Sequence, residues 1–200
     1  MTVRVGLQHV ADSRDVTRML GHLLGVKPAE VSIEHLCERC GATDHGQPLL
    51  LVRGEYAAQR ISISRTPHWL AVAMTDGENP AQRVGVDVET VKRVARHDVQ
   101  EIAFSPNEAR VISELDEHEK APAATQLWTA KEAVTKMMGV GLRADLTAIE
   151  CSVVGPVVNE CVVMHPGGDA HVQFHSPHQG LLAAVATALP EPVVWLSWGR

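Results

Sequence analysis

The chain has 200 residues, 45% hydrophobic and 21% charged, with net charge −6 and mean hydropathy −0.03. That is enough for one core, or two small halves sharing one, and it excludes a disordered or fibrous chain. The acidic balance and an aromatic content of 4% argue against nucleic-acid binding, which needs basic faces and stacking platforms. No apolar run approaches a membrane span, and the opening residues do not read as a signal peptide. Four cysteines then fit a reducing cytoplasm, so a cytoplasmic protein without a membrane partner is expected.

In chain order, Asp12 or Ser13 can cap a first helix. Its apolar residues Val16, Met19, Leu20, Leu23 and Leu24 share one face, and Gly25 and Pro28 stop it. Val31 and Ile33 predict a short strand, followed by the turn-rich CERCGATDHGQP. Leu49–Val52 reads as a strand, and Ile61 and Ile63 lead through the turn Arg65-Thr66-Pro67 into the apolar Trp69–Met74. After the turn TDGENP, valines at 84, 86 and 88 alternate with Gly85, Asp87 and Glu89 in a further strand. Val99, Ile102 and Ala103 suggest a helix, and Ser105-Pro106-Asn107-Glu108 is a capping box for the next one. That second helix should bury Val111, Ile112 and Leu115. The charged DEHEK reads as a loop, with Pro122 opening a long helix that ends at Met138-Gly139. Strands are expected around 149–154, 157–164, 171–175 and 181–188, with VVWLSW as a last packed strand. ISISRTPHWLAVAM at 61–74 and VQFHSPHQGLLAAVAT at 172–187 echo one another, which suggests two similar α/β halves divided near 82–84.

Three segments carry candidate chemistry. In VGVDVE the i, i+2 period of a strand puts Asp87 and Glu89 on one face and the valines on the other, with Gly85 leaving room for a ligand above the carboxylates. Two adjacent carboxylates repel unless a cation lies between them, and Mg²⁺ suits such hard oxygen donors. An exposed strand face that happens to carry two acids gives the same pattern. In WTAKEAVTK, Trp128, Glu132 and Lys136 align along one helix stripe with Lys131 beside it. A carboxylate between two ammonium groups suits a metal–phosphate site, although Glu132 and Lys136 also read as an ordinary surface pair. In Ser64-Arg65-Thr66, hydroxyls flank a guanidinium at a strand–turn junction, which suits a phosphate or plain turn chemistry.

Together and in this order, VGVDVE at 84–89, FSPNE at 104–108 and WTAKEAVTK at 128–136, preceded by the SRT turn, resemble the Sfp-type 4′-phosphopantetheinyl transferases. The GVGL at 139–142 is similar to that family's G-x-G-L, and HGQP at 45–48 to its HGKP. The resemblance runs from about residue 14 to 187. It implies an α+β fold of two pseudo-symmetric halves, 1–83 contacting coenzyme A and 84–200 carrying the metal and catalytic residues, with the active site in the cleft between them. The activity implied is Mg²⁺-dependent transfer, or transfer with Mn²⁺ in its place, of the phosphopantetheine arm of coenzyme A to a serine of an apo acyl or peptidyl carrier protein. A monomer is expected. The resemblance assigns Asp87, Glu89 and Glu132 to the metal. It assigns Glu132, with Lys136 and Asp87, to catalysis, and Arg14, His45, Ser64, Arg65, Thr66, Lys131 and Lys136 to the coenzyme. Two departures stand out: Arg65 replaces the family's histidine, and Gln47 replaces its lysine. A member that binds coenzyme A or a carrier without turnover is the alternative they leave open. Arg93, Arg96, Lys120 and Arg143 are candidates for docking an acidic carrier.

Outside this pattern, Cys37-x-x-Cys40 with His45 supplies three of the four ligands of a zinc site, or reduced thiols in a turn. His165, His171, His175 and His178 form a second cluster that reads as a polar strand face or a metal-binding one. Cys151 and Cys161 read as small core residues.

Overall fold

The computed structural model describes residues 2–9, 15–37, 39–79, 81–97, 99–152 and 158–197. The first part of the chain forms β1 (Val3–His9), α1 (Asp15–Leu24), β2 (Val31–Leu36), β3 (Gln47–Val52), β4 (Glu55–Tyr56), β5 (Ile61–Arg65) and β6 (Trp69–Thr75). Then follow β7 (Val84–Thr90), the single turns α2 (Val91–Val94) and α3 (Gln100–Ala103), α4 (Pro106–Glu114) and the long α5 (Glu117–Met138). The chain continues with β8 (Glu150–Cys151), β9 (Glu160–Met164), β10 (Ala170–His175), β11 (Leu181–Thr187) and β12 (Val193–Ser197). The result is a mixed α+β fold with sheets ordered β12-β1-β6-β5, β7-β11-β10-β9-β8 and β2-β3-β4.

Side-chain alternation decides the layering. Val3, Val5, Leu7, Ala71 and Ala73 on one face of the first sheet meet Val84, Val86, Val88, Leu181, Ala183 and Val185 from the second. The opposite face of the first sheet offers Leu70, Val72 and Met74 to Val16, Met19, Leu20 and Leu23 of α1. The opposite face of the second sheet takes α5, through Leu127, Ala130, Ala133, Val134 and Met137. Because both faces of β7 are covered, Val84–Glu89 is buried throughout. In each part a first strand lies antiparallel beside the second strand of a later hairpin: β1 beside β6 of β5–β6, and β7 beside β11 of β10–β11. The two similar segments noted in the sequence are these hairpins.

Several local expectations hold. Gly25 and Gly139 end α1 and α5 in left-handed conformations, with φ of 72° and 74°. Ser105 and Glu108 form the reciprocal capping box. Others need correction. α5 starts at Glu117, so the acidic stretch before Pro122 is its first turn, where negative charge suits the positive end of the helix dipole. Pro122 sits inside the helix, and the carbonyl its missing N–H leaves without a partner belongs to the exposed His118. Ile102 is exposed, and Val99 and Ala103 form the buried side of that turn. In α4 only Ile112 of the expected apolar stripe is buried. The capping candidates Asp12 and Ser13 lie outside the described residues, as does the middle of the strand region at 153–157.

Candidate active site

β7 and α5 build the site by packing backbone against backbone. A side chain on Gly85 would put its Cβ 1.8 Å from the Ala133 carbonyl oxygen and 2.6 Å from the Met137 nitrogen. Gly85 therefore makes room for the helix, not for a ligand as the sequence suggested. The close approach brings Glu132 and Lys136, one turn apart on α5, over Asp87 and Glu89 on the same face of β7. Lys136 Nζ donates to Asp87 Oδ1 at 2.7 Å.

The edges of the two large sheets meet beside this pair. β5 and β7 run alongside each other, and serine hydroxyls on β5 accept the N–H groups that β7 would otherwise leave unpaired. Val86 N donates to Ser62 Oγ at 3.0 Å and Val88 N to Ser64 Oγ at 3.3 Å. Ser64 Oγ in turn donates to Asp87 Oδ1 at 2.7 Å. Ser64 thus orients a carboxylate and joins the sheets, and its hydroxyl is not turned to a phosphate.

Three carboxylates within this small volume leave their charge only partly answered. Arg93 Nη1 donates to both oxygens of Glu89, at 2.6 and 2.8 Å. Asp87 Oδ2 and Glu132 Oε1 are buried without a hydrogen-bond partner among the described residues. Burial, and then the negative charge of Asp87, pushes the Glu132 carboxyl up to about 7, against a smaller opposing pull from Lys136. The Glu89 carboxyl is raised for the same two reasons, with Arg93 opposing. Two partnerless acceptor oxygens beside a third carboxylate are a donor set for a hard divalent cation, so Asp87, Glu89 and Glu132 fit the metal role.

Lys131 does not join them. Its side chain is fully buried on another face of α5, where Nζ donates to Glu108 Oε2 at 2.5 Å, Ala103 O at 2.6 Å and Leu146 O at 3.0 Å. An ammonium has three N–H bonds, and all three are used, so no donor remains for a phosphate. Glu108 completes the arrangement by accepting from Ser105 N and Cys151 N. The expected coenzyme role of Lys131 is therefore replaced by a structural one. Thr66 is also drawn into local structure: its hydroxyl accepts from His68 N and Trp69 N and shapes the turn before β6. Arg14 lies outside the described residues.

A cleft of about 970 Å³ opens beside the carboxylates, walled by β2, β3, β5, the start of β7 and the end of α5. Lys136 lines it, and so do the expected coenzyme residues His45 and Arg65. Arg60, Arg83 and Arg143 line it as well, and among the described residues no Asp or Glu lines it. In a chain of net charge −6 this is a concentrated cationic surface facing a space of nucleotide size. Gln47 stands where β3 meets the end of α5, so close to Gly139 that a Cβ there would lie 2.4 Å from its Nε2.

Reading the sequence missed Arg60 and Arg83. Each directly precedes a strand, β5 and β7, and pairing those strands side by side would have placed both at one end. Of the docking candidates, Arg143 lines the cleft, Arg93 holds Glu89, and Lys120 pairs with Glu117 at 2.9 Å.

No curated protein sequence matches the chain. Among solved structures, it is similar to a holo-(acyl-carrier-protein) synthase from Bacillus anthracis in complex with CoA (3′,5′-ADP). Identity is 18% over 52% of this chain and 93% of that one, with a TM-score of 0.40. It is also similar to holo-[acyl-carrier-protein] synthase of Thermotoga maritima, at 24% identity over 55% of this chain and 63% of that one, with a TM-score of 0.42. The model of the 4′-phosphopantetheinyl transferase superfamily matches residues 83–186, a span that contains β7, α5 and all three carboxylates. Because that match takes in more than half of the chain, the protein belongs to the 4′-phosphopantetheinyl transferase superfamily.

Proposed function

We propose that the protein transfers the 4′-phosphopantetheine arm of coenzyme A to a serine hydroxyl of an apo acyl or peptidyl carrier protein, releasing 3′,5′-ADP. The observation that carries this reading is the junction of two unlike surfaces. Buried carboxylates with partnerless oxygens adjoin a cleft lined by arginines and Lys136, with no Asp or Glu among its described lining residues. A pyrophosphate in the cleft answers the cationic side, and a divalent cation between it and the carboxylates would answer the other.

In this reading Arg60, Arg65, Arg83 and Arg143 receive the phosphates of coenzyme A, guanidinium groups being suited to two-pronged contact with phosphate oxygens. Lys136, held at one end by Asp87, reaches the pyrophosphate. Glu132 accepts the proton of the carrier serine, its carboxyl standing at about 7 in the cation-free protein because of burial and the charge of Asp87. The serine oxygen then bonds to the β-phosphorus as the bond from that phosphorus to the bridging oxygen breaks, and 3′,5′-ADP leaves with the electron pair. Lys136 and the arginines stabilise the charge that collects on the leaving group. Mg²⁺, or Mn²⁺ in its place, held by Asp87, Glu89 and Glu132, would supply further charge neutralisation to the pyrophosphate. Residues 1–83 then supply most of the coenzyme wall and 84–200 the carboxylates, the single-chain arrangement of the Sfp type.

The test is the intact mass of an apo carrier protein incubated with coenzyme A, Mg²⁺ and the enzyme, with Glu132→Gln in parallel. A gain of one phosphopantetheine unit that disappears in the variant supports the reading. Coenzyme A binding without any mass gain, across several carriers, would replace it with a binding-only function.

A further inference from the structure

The turn between β2 and β3 carries a second, chemically different cluster. The ligand atoms of Cys37, Cys40 and His45 all lie within 4.8 Å of one another. Tetrahedral zinc–sulfur and zinc–nitrogen bonds of about 2.3 and 2.0 Å place neighbouring ligand atoms roughly 3.5–3.8 Å apart, so only a small contraction is required. Cys40 Sγ already stands 3.3 Å from His45 Nε2.

Three further details point the same way. His45 Nδ1 is 2.7 Å from Asp44 Oδ1, which fixes that nitrogen as the N–H and leaves Nε2, on the sulfur side, with its lone pair free to ligate. The backbone folds as a tight knuckle: Gly41 N donates to the Cys37 carbonyl at 2.8 Å, Cys37 N donates to the Ala42 carbonyl at 2.9 Å, and Gly41 takes φ +71°. Gly46 closes the turn so tightly that a Cβ there would sit 2.3 Å from the Leu36 carbonyl oxygen, which keeps His45 folded back over the cysteines.

We propose that Cys37, Cys40 and His45 bind one Zn²⁺, with Asp44 orienting His45 and the fourth position left to water. The site is separate from the carboxylates: its donors are soft sulfur and imidazole, theirs are hard oxygen. It also sits where two cavities meet. His45 and Gly46 line the cationic cleft, and Cys37 and Gly46 line an adjoining cavity of about 550 Å³. Zinc would therefore pin the wall of the cleft. That consequence rests on the transferase reading; the metal site itself does not.

The experiment is metal analysis of the full-length protein purified under reducing conditions, followed by Co²⁺ substitution read by absorption spectroscopy. One zinc per chain and a thiolate-to-cobalt charge-transfer band, both lost in Cys40→Ser, are expected. Asp44→Asn, at an exposed side chain whose loss leaves the fold intact, should retain the band but weaken zinc binding about 10-fold or more. Substoichiometric zinc, or a resting Cys37–Cys40 disulfide under reducing conditions, would overturn the proposal. So would a full zinc complement in Cys40→Ser. Zinc content and the cobalt band need no carrier or coenzyme, so an inactive protein with a filled site would fail the transferase reading alone.

Discussion

Lys131 and Lys136 lie five residues apart on α5, within one motif, and each meets a buried carboxylate. Their surroundings differ completely. Around Lys131 and Glu108, all three ammonium protons and both carboxylate oxygens have partners, and solvent is excluded. Around Lys136 and Asp87 the lysine is partly exposed to a cleft, while Asp87 Oδ2 and Glu132 Oε1 have no partner among the described residues. Complete satisfaction marks a pair that holds the fold together. Incomplete satisfaction marks a place where folding leaves charge for something else to neutralise. The same residue types in one helix thus do opposite jobs, and the count of partners distinguishes them.

The largest effect should come from the satisfied pair. Lys131→Met strands a buried carboxylate and should cost about 3–5 kcal/mol of stability, enough to remove most folded protein at 37 °C. Denaturant titration measures it. Lys136→Met leaves Asp87 its Ser64 donor and removes an ammonium that is already partly exposed, so it should lower stability less than Lys131→Met and impair transfer to the carrier; equal destabilisation by the two substitutions would dissolve the contrast. Next, Glu132→Gln should lower turnover by about 10²–10⁴-fold while the protein remains folded, because it removes the proposed proton acceptor along with an unneutralised charge. Turnover on an apo carrier and a thermal melt, taken together, read both halves of that expectation. Smaller still, Arg60→Ala or Arg83→Ala should weaken coenzyme A binding by about 10-fold, with a reduced salt dependence visible by calorimetry.

The smallest effect concerns pH. A carboxyl whose folded-state value is raised from 4.5 to about 7 binds its proton more tightly in the folded protein. Its contribution therefore lowers stability as pH rises through that interval, and the full penalty is present above about 7. Mg²⁺ binding needs the ionised form and should offset this penalty. The gain in melting temperature on adding Mg²⁺ should grow from pH 5.5 to 7.5, by a few degrees for a chain of this length. A gain that is independent of pH would place the cation away from Glu132.

Local signals were legible in the sequence wherever one element decides the outcome. The stripe of α1, the capping box of α4, the left-handed stop at Gly139 and the alternation of Val84–Glu89 each depend on a few neighbouring residues, and each appears as expected. The carboxylates of β7 could be placed on one face for the same reason. What could not be read depends on which elements meet. Gly85 is defined by the helix that covers it, and Lys131 by the turns of α3 and α4 at the far side of α5. Arg60 and Arg83 belong to one cleft only because β5 and β7 lie edge to edge. Thr66, read as a phosphate contact, is taken up by its own turn, three residues before β6 begins.

β12 pairs in parallel with β1, Val3 against Val193 through Leu7 against Ser197. On a ribosome, β1 emerges about 190 residues before the strand that will cover its edge, so the first sheet waits with one flank open until synthesis nears Ser197. Val193 and Trp195 also pack on the valines that join the two large sheets. Docking of this late strand therefore closes the sheet and seals the layer beneath β7 in one event, and a nascent chain stalled before residue 193 should remain open to proteases and chaperones while its long helix is already made.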